Sequence, residues 1–264
     1  MDFLEGPRPR LFAHRGGGLE APENTIEAFA AGLAAGCERL ELDVRATSDG
    51  EVVVLHDETL DRTTDGRGLA CAQTLAEIRA CDAGARFVSG DGSQPFRERG
   101  VRVPTLAEVL EAFPGVPLNI EVKQSEPAME SAVLAVLDRF DARRQVLLAA
   151  EKGPIMERIR AVATNVITSF SVEDVAVFLQ HWQDGTLAGY RPPGVALQVP
   201  PAFMGKPVVT EEVVALAHDL GLEVHVWTID DEVEMERLLD LGADGIITDR
   251  PTVAAAVFHR RGLR

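Results

Sequence analysis

Residues 40–57 read Leu-Glu-Leu-Asp-Val-Arg-Ala-Thr-Ser-Asp-Gly-Glu-Val-Val-Val-Leu-His-Asp. The first five residues form a strand pattern in which Glu41 and Asp43 point to one face. Residues 47–50 form a turn before a second apolar run at 52–56, and the whole connection is shorter than the roughly dozen residues that two parallel strands need. Because Asp-Gly is typical of tight turns, the sequence predicts a hairpin over 44–56 that returns His56 to the two carboxylates.

Outside this hairpin, short strand patterns alternate with helical patterns along the chain. Asn24 and Glu27 form a candidate capping box at the start of the first helix, and Gly36 marks its end. Eight strand–helix units in series predict a closed (β/α)₈ TIM barrel, and a doubly wound open sheet is the alternative. The predicted strands are 10–14, 38–44, 117–122, 145–149, 164–169, 194–199, 223–228 and 245–248.

The domain organisation follows from the same pattern. We expect residues 1–264 to form one TIM-barrel catalytic domain, with the hairpin and a small insertion after the second strand at about 44–103. Within it, the segment 84–102 is rich in glycine and charge and is predicted to be loop. The first nine residues and the last five are expected to fray.

Composition narrows the class of partner. The chain has 264 residues, 46% of them hydrophobic, and a formal net charge of −16 from 42 acidic and 26 basic residues. Such a surface repels nucleic acid and anionic membranes, so an anionic substrate would need a cation or local positive charge. The three cysteines form no CxxC, and no targeting signal or membrane span is visible, which predicts a cytoplasmic protein without stable membrane insertion. The oligomeric state stays open.

Polar residues fall where barrel strands end, and barrel active sites lie at the C-terminal ends of the strands. Glu41 and Asp43 on the second strand, with Glu121 on the third, offer an all-oxygen site for a divalent cation. Mg²⁺ or Ca²⁺ suits such ligands, Mn²⁺ is compatible, and Zn²⁺ is less suited. The alternative is that these carboxylates only form ion pairs, with Arg15, Arg45 or Lys123.

His14 and His56 differ from the other histidines because each follows an apolar strand and adjoins another polar residue. Two imidazoles can supply a proton acceptor and a proton donor near neutral pH. His181, His218 and His259 fall in or beside helical patterns and are expected to be structural or exposed. The role of His225 is ambiguous. Trp227 is either core or an apolar wall for substrate, and the glycines at 16–18 favour a backbone turn over a phosphate-binding loop.

Several motifs occur together, in order. His14-Arg15-Gly16 followed by Pro22-Glu23-Asn24-Thr25, and the Glu-x-Asp strand, resemble the glycerophosphodiester phosphodiesterase family. Further matches in order are Val53-Val54-Leu55-His56-Asp57, Arg62-Thr63-Thr64-Asp65-Gly66, Asn119-Ile120-Glu121-Val122-Lys123, Val226-Trp227-Thr228 and Gly245-Ile246-Ile247-Thr248-Asp249-Arg250-Pro251. The resemblance covers roughly residues 11–252.

The resemblance implies a TIM barrel with an insertion and a divalent cation. It implies that His14 and His56 are the acid/base pair, and that Arg15 and Lys123 lie near the substrate phosphate. By the same motif match, the cation ligands are Glu41, Asp43 and Glu121. The reaction it implies is hydrolysis of a small-molecule glycerophosphodiester to glycerol 3-phosphate and an alcohol.

Three other functions are compatible with these residues. The first is a lysophospholipase D or sphingomyelinase D activity, which applies the same chemistry to a larger substrate. The second is a non-catalytic barrel that binds a phosphate compound. The third is an unrelated metal-dependent lyase with Lys123 as base, which would leave the two histidines without a role.

Overall fold

In the computed structural model, which describes residues 2–263, eight parallel strands form a nearly closed barrel. The strands of the protein are β1 Arg10–His14, β2 Arg39–Ala46, β3 Val52–Val54, β4 Leu118–Val122, β5 Val146–Ala149, β6 Ile167–Thr168, β7 Ala196–Val199, β8 Ala202–Phe203, β9 Lys206–Pro207, β10 Glu223–Val226 and β11 Gly245–Thr248. The order around the barrel is β6-β5-β4-β2-β1-β11-β10-β7, and one bridge between Ser169 and Ala196 joins the two ends of this order. The predicted TIM barrel is confirmed.

Helices follow the barrel strands and cover the outside. They are α1 Ile26–Ala35, α2 Leu75–Arg79, α3 Leu106–Ala112, α4 Glu130–Arg139, α5 Gly153–Val162, α6 Val172–Gln183, α7 Glu211–Asp219, α8 Glu232–Asp240 and α9 Pro251–Arg260. Two short 3₁₀ helices lie at Ala70–Ala72 and Arg143–Gln145. Of the helices in the described part of the chain, none combines the length and the apolar character needed to cross a bilayer.

The hairpin predicted after β2 is present. β3 pairs antiparallel with β2, with Val44 opposite Val54, and Gly50 has a φ of 86° in the turn. The chain that follows contains α2 and packs on a small apolar cluster of its own, which includes Leu60, Ile78 and Val101. This cluster holds the excursion against the barrel and fixes the segment that starts with His56. The division into one domain stays a prediction.

The start of α1 differs from the predicted capping box. The N-cap is Thr25, whose side-chain oxygen accepts a hydrogen bond from the backbone N–H of Ala28. Asn24 instead has a φ of 58° and donates from Nδ2 to Asp43 Oδ2 at 2.9 Å. The prediction was wrong because the buried carboxylate of Asp43 needs a donor, and that need outweighs local capping preference.

The N-terminal residues are ordered under the barrel, so the prediction that they fray was wrong for residues 2–9. Phe3 is fully buried and lies 6.0 Å from the ring of Phe12. The carbonyl oxygens of Leu4 and Glu5 accept hydrogen bonds from the guanidinium of Arg10, at 2.7 and 3.0 Å. A buried guanidinium needs acceptors, and this segment supplies them. Near the C-terminus, the backbone N–H of Leu263 donates to the carbonyl oxygen of Phe258. Met1 and Arg264 lie outside the described residues.

A buried polar cluster fills the lower barrel. Arg10 donates to both carboxylate oxygens of Glu223, at 2.6 and 2.7 Å, and His225 Nε2 donates to Glu223 Oε2 at 2.9 Å. Burial alone would raise the pKa of Glu223, but Arg10 and His225 outweigh it and lower that pKa to about 2. His225 is therefore structural and points into the lower barrel, away from the carboxylates of β2.

The Glu223 pair predicts a pH-dependent stability. A carboxyl group whose pKa falls from 4.5 to about 2 on folding contributes about 3 kcal/mol above pH 4.5, and this contribution is lost as the pH falls toward 2. We expect Glu223→Gln to lower the unfolding free energy at pH 7 by about that amount. The difference from wild type should shrink steadily below pH 4.5, as measured by urea unfolding.

The control is Glu234→Gln, which breaks an exposed ion pair with Arg237 on α8. Exposed pairs contribute roughly 0–1 kcal/mol, so this variant should unfold close to wild type across the range. An equal loss in both variants, or a Glu223→Gln deficit that persists at pH 2, would contradict this account of the lower barrel.

Candidate active site

Three carboxylates meet at the C-terminal mouth of the barrel. Glu41 and Asp43 lie on β2, and Glu121 lies beside Asp43 in the parallel register of β4. Each offers an oxygen, and these oxygens all lie within 4.8 Å of one another. Glu41 and Asp43 are buried and Glu121 nearly so. The alternation along β2 and the register with β4 therefore bring together the three residues predicted as cation ligands.

Basic side chains at the cluster only partly balance it. Lys123 Nζ lies 2.9 Å from Glu121 and 3.5 Å from Asp43, and Arg15 Nε lies 3.2 Å from Asp43. The ion-pair alternative is thus partly realised. Arg45, however, donates to the backbone oxygen of His56 at 2.8 Å. Two permanent positive charges face three carboxylates, so the ion pairs leave a negative excess.

Burial and the neighbouring charges together shift the pKa values of the three carboxyl groups. Burial, with the charge of Asp43 beside it, raises the pKa of Glu41. Burial also raises the pKa of Glu121, although Lys123 opposes it. Burial would raise the pKa of Asp43 as well, but Arg15 and Lys123 outweigh it and lower that pKa.

Asp43 supplies a further observation on whether a cation fits this site. Its Oδ1 is buried and has no hydrogen-bond partner among the described residues. Lys123 Nζ lies 3.5 Å from this oxygen without forming a hydrogen bond to it, and a buried carboxylate oxygen that lacks a hydrogen bond costs about 1–3 kcal/mol or more. Together with the all-oxygen donor set, this atom fits a hard divalent cation such as Mg²⁺ or Ca²⁺. The residues present are therefore suited to such an ion.

His14 ends β1 beside this cluster. Its Nδ1 lies 2.8 Å from Asp249 Oδ1, which as a carboxylate oxygen accepts the imidazole proton. Its Nε2 lies 3.8 Å from Glu41 Oε2. Burial acts to lower the pKa of His14, but the carboxylates of Glu41 and Asp249 outweigh it and raise that pKa. The ring is thus oriented with Nε2 toward the carboxylate cluster.

The glycines after Arg15 shape the turn that carries His14. Gly16 has a φ of 88°, and a Cβ there would lie 2.6 Å from Ala28. The backbone N–H of Gly18 donates to Asp249 Oδ1 at 3.2 Å. These contacts support the interpretation that the glycines let the chain turn closely, with one N–H used to hold the partner of His14.

His56 follows β3 and lies on the more open side of the mouth. Its side chain is 30% exposed, against 13% for His14. Its Nδ1 donates to Asp57 Oδ1 at 2.7 Å. Burial would raise the pKa of Asp57, but Arg62 and His56 outweigh it and lower that pKa to about 2. Asp57 therefore stays ionised and fixes the ring of His56 through Nδ1.

The tryptophan and the other histidines considered in the sequence lie at different places in the barrel. Trp227 follows β10, three strands from β2 around the barrel, and is 40% exposed. Its interpretation as core filling was wrong, and its role as a substrate wall stays a prediction. His181 and His218 lie far from the mouth, as expected for structural histidines. They form hydrogen bonds with Thr186 and Asp244, respectively. His259 lies exposed on α9.

Sequence reasoning missed the residues that hold the site in place. Asp249 and Asp57 orient the two histidines, and Asn24 binds Asp43. Glu23 accepts hydrogen bonds from Arg15 and Arg62. All five residues, counting Arg62, lie inside the quoted motifs, but nothing in the spacing assigns a partner. The only local signal was that Asp57 directly follows His56.

The chain is similar to known proteins over nearly its whole length. The glycerophosphoryl diester phosphodiesterase family model matches residues 14–253. A glycerophosphodiester phosphodiesterase of Caldanaerobacter subterraneus subsp. tengcongensis is 32% identical, over 96% of this chain and 98% of the relative. Human lysophospholipase D GDPD1 is 28% identical, over 94% and 85%.

A solved structure of similar shape carries a ligand. It is the Oleispira antarctica phosphodiesterase in complex with the product sn-glycerol-3-phosphate. Its TM-score is 0.79 at 27% identity, over 96% of this chain and 97% of that one. With a family model that spans most of the chain, and relatives alike over nearly their full length, the chain belongs to the glycerophosphoryl diester phosphodiesterase family of enzymes.

Proposed function

We propose that this chain uses a divalent cation and two histidines to hydrolyse glycerophosphodiesters to glycerol 3-phosphate and an alcohol. The observation that carries the proposal is the cluster of three carboxylates within 4.8 Å, with the two histidines held nearby by aspartates. Family membership supports the reaction. The geometry supports the cation and the roles of the histidines.

Glu41, Asp43 and Glu121 would hold the cation. When bound, a divalent cation offsets the negative charge of the phosphate and of the carboxylates, and it stabilises the charge that develops in the transition state. Arg15 and Lys123 already lie against Asp43 and so stand beside the same position. We expect their positive charges to bind a non-bridging phosphate oxygen.

The two histidines would divide the proton transfers. His14 Nε2 faces the cation ligand Glu41, so His14 is placed to remove a proton from a nucleophile bound on that side. His56 lies on the more exposed side, where an alcohol of variable size can leave. As the phosphorus–oxygen bond to the alcohol breaks, the proton on His56 Nε2 would pass to the departing oxygen. The nucleophile is water or the glycerol 2-hydroxyl, and either fits this arrangement. Attack by the 2-hydroxyl would give a cyclic phosphate, whose bond to the 2-oxygen water would then break to give glycerol 3-phosphate.

The test is release of glycerol 3-phosphate from glycerophosphocholine, first after chelation and then with Mg²⁺, Ca²⁺ or Mn²⁺ restored. We expect activity to vanish on chelation and to return with at least one ion. His14→Ala and His56→Ala should each lose about 100-fold or more in kcat, since positioned acid–base groups contribute roughly 10²–10⁴-fold. Glu41→Ala should lose activity by weakening the cation site.

The matched control is His218→Ala, a partly exposed histidine paired with Asp244 at the opposite end of the barrel. It should retain near wild-type activity. Full activity in the presence of chelator, or in either site-histidine variant, would refute the proposed mechanism.

A second candidate is a lysophospholipase D activity, and exposed apolar residues near the mouth favour it. Phe203 and Met204, in the β8–β9 hairpin that follows β7, are 64% and 87% exposed, and Trp227 follows the neighbouring β10. Their strands end at the side of the barrel that carries the site. Such side chains could contact an acyl chain, and the human relative is named as a lysophospholipase D.

The double variant Phe203→Ser/Met204→Ser distinguishes the two candidate functions. If lysophospholipids are substrates, the variant should lose about tenfold in kcat/KM on lysophosphatidylcholine, because burying these side chains in contact with the acyl chain is worth roughly 1–3 kcal/mol. Hydrolysis of glycerophosphocholine should not change. Equal effects on the two substrates would count against a lipid-binding role of the hairpin.

A further inference from the structure

Arg62 joins the two loops that carry the histidines. Its Nε and Nη2 donate to Asp57 at 2.6 and 3.1 Å, and its Nη1 and Nη2 donate to Glu23 at 2.6 and 2.7 Å. Glu23 lies in the loop between β1 and α1, and Asp57 directly follows His56. One guanidinium therefore binds two carboxylates, each through two nitrogens.

Each of these carboxylates is bound in turn to a site residue. Asp57 accepts the proton of His56 Nδ1 at 2.7 Å, and Glu23 Oε1 accepts from Arg15 Nη1 at 3.0 Å. Arg15 in turn stands 3.2 Å from Asp43. A continuous set of charge-assisted hydrogen bonds thus runs from Arg15 through Glu23, Arg62 and Asp57 to His56. The ion pair between Arg15 and Asp43 extends this set to the cation ligands.

The shape of the arginine side chain matters to this arrangement. All three of its nitrogens are used, and a planar fork can bind two carboxylates in one plane. Lysine carries the same charge but offers a single nitrogen, so it cannot hold both carboxylates with two bonds each. The half-exposed position of Arg62 means that the bonds contribute through geometry more than through net stability.

We infer that Arg62 is a positioning residue of the reaction, which acts through Asp57 to aim His56 at the leaving oxygen and through Glu23 to fix the distance between His56 and the cation site. This inference rests on the proposed function and deepens it. The hydrogen bonds of Arg62 go to Asp57 and Glu23, so it acts on His56 and on the cation site through these two carboxylates. With Nδ1 held by Asp57, Nε2 of His56 is the nitrogen that faces the substrate and delivers the proton.

Leaving-group dependence tests the inference. Choline is a poor leaving group whose oxygen needs a proton, whereas p-nitrophenolate leaves without one. We expect Arg62→Ala to lower kcat on glycerophosphocholine by about 30-fold, which is part of the roughly 10²–10⁴-fold that a positioned acid contributes. The loss on glycerophospho-p-nitrophenol should stay within about threefold, and KM should stay within about twofold on both substrates.

Two further variants sharpen the experiment. Arg62→Lys should recover little of the loss on glycerophosphocholine, because charge alone does not restore the two-sided bonding. Arg67→Ala removes an exposed arginine five residues along the same segment and should behave as wild type on both substrates. Calorimetric titration of Mn²⁺ into Arg62→Ala should give wild-type affinity, which shows that the fold and the carboxylate cluster are intact.

A double-mutant cycle identifies the partner. If Arg62 acts through Asp57, the double variant Arg62→Ala/Asp57→Asn should lose little more than Asp57→Asn alone. Equal losses on the choline and nitrophenyl substrates, a rise in KM at unchanged kcat, or full recovery in Arg62→Lys would overturn the inference. Wild-type turnover of both substrates tests the proposed function separately, so failure of one is distinguishable from failure of the other.

Discussion

The main constraint on this structure is the repulsion among three carboxylates held at the mouth of the barrel, which the surrounding groups must offset. Glu41, Asp43 and Glu121 have oxygens within 4.8 Å of one another and little contact with water. At that separation, two full charges repel by about 3 kcal/mol at an effective dielectric constant of about 20. Arg15 and Lys123 offset part of the cost, and protonation of Glu41 can offset more. A divalent cation removes it directly, which is why we regard the cluster as a binding site.

The surrounding residues serve to keep this unfavourable arrangement in place. The side chain of Asn24 donates to Asp43 and does not cap α1. The backbone N–H of Arg15 donates to Glu41 at 3.0 Å. Asp249 and Asp57 each fix one histidine through Nδ1, which leaves Nε2 of each ring for the proposed proton transfers. The lower barrel is held by a separate buried cluster around Arg10 and Glu223. The buried cluster around Arg10 and Glu223 and the three carboxylates at the mouth therefore lie at opposite ends of the barrel.

The sequence predicted the barrel strands, the hairpin and the shared face of Glu41 and Asp43 because each depends on local periodicity, and Glu121 joins these carboxylates through the pairing of β2 with β4. Alternation along β2 places Glu41 and Asp43 on one face whatever the tertiary structure, and the short turn after it permits only an antiparallel partner. The contacts that were missed are non-local. Asp249 lies 235 residues after His14, and no periodic pattern links them. Phe3 lies in a short N-terminal segment with no strand or helix pattern. The buried guanidinium groups of Arg10 and Arg39 nevertheless hold this segment, because they donate to the carbonyl oxygens of Leu4 and Glu5.

The most direct test is anomalous diffraction from crystals of this chain soaked with Mn²⁺. The account predicts one strong peak between β2 and β4, about 2.0–2.6 Å from an oxygen of each of Glu41, Asp43 and Glu121, the range expected of hard cations on carboxylates. It should vanish in Asp43→Asn crystals that otherwise keep the fold. A peak elsewhere, or an empty carboxylate cluster at saturating Mn²⁺, would contradict the claim that these three residues form the cation site.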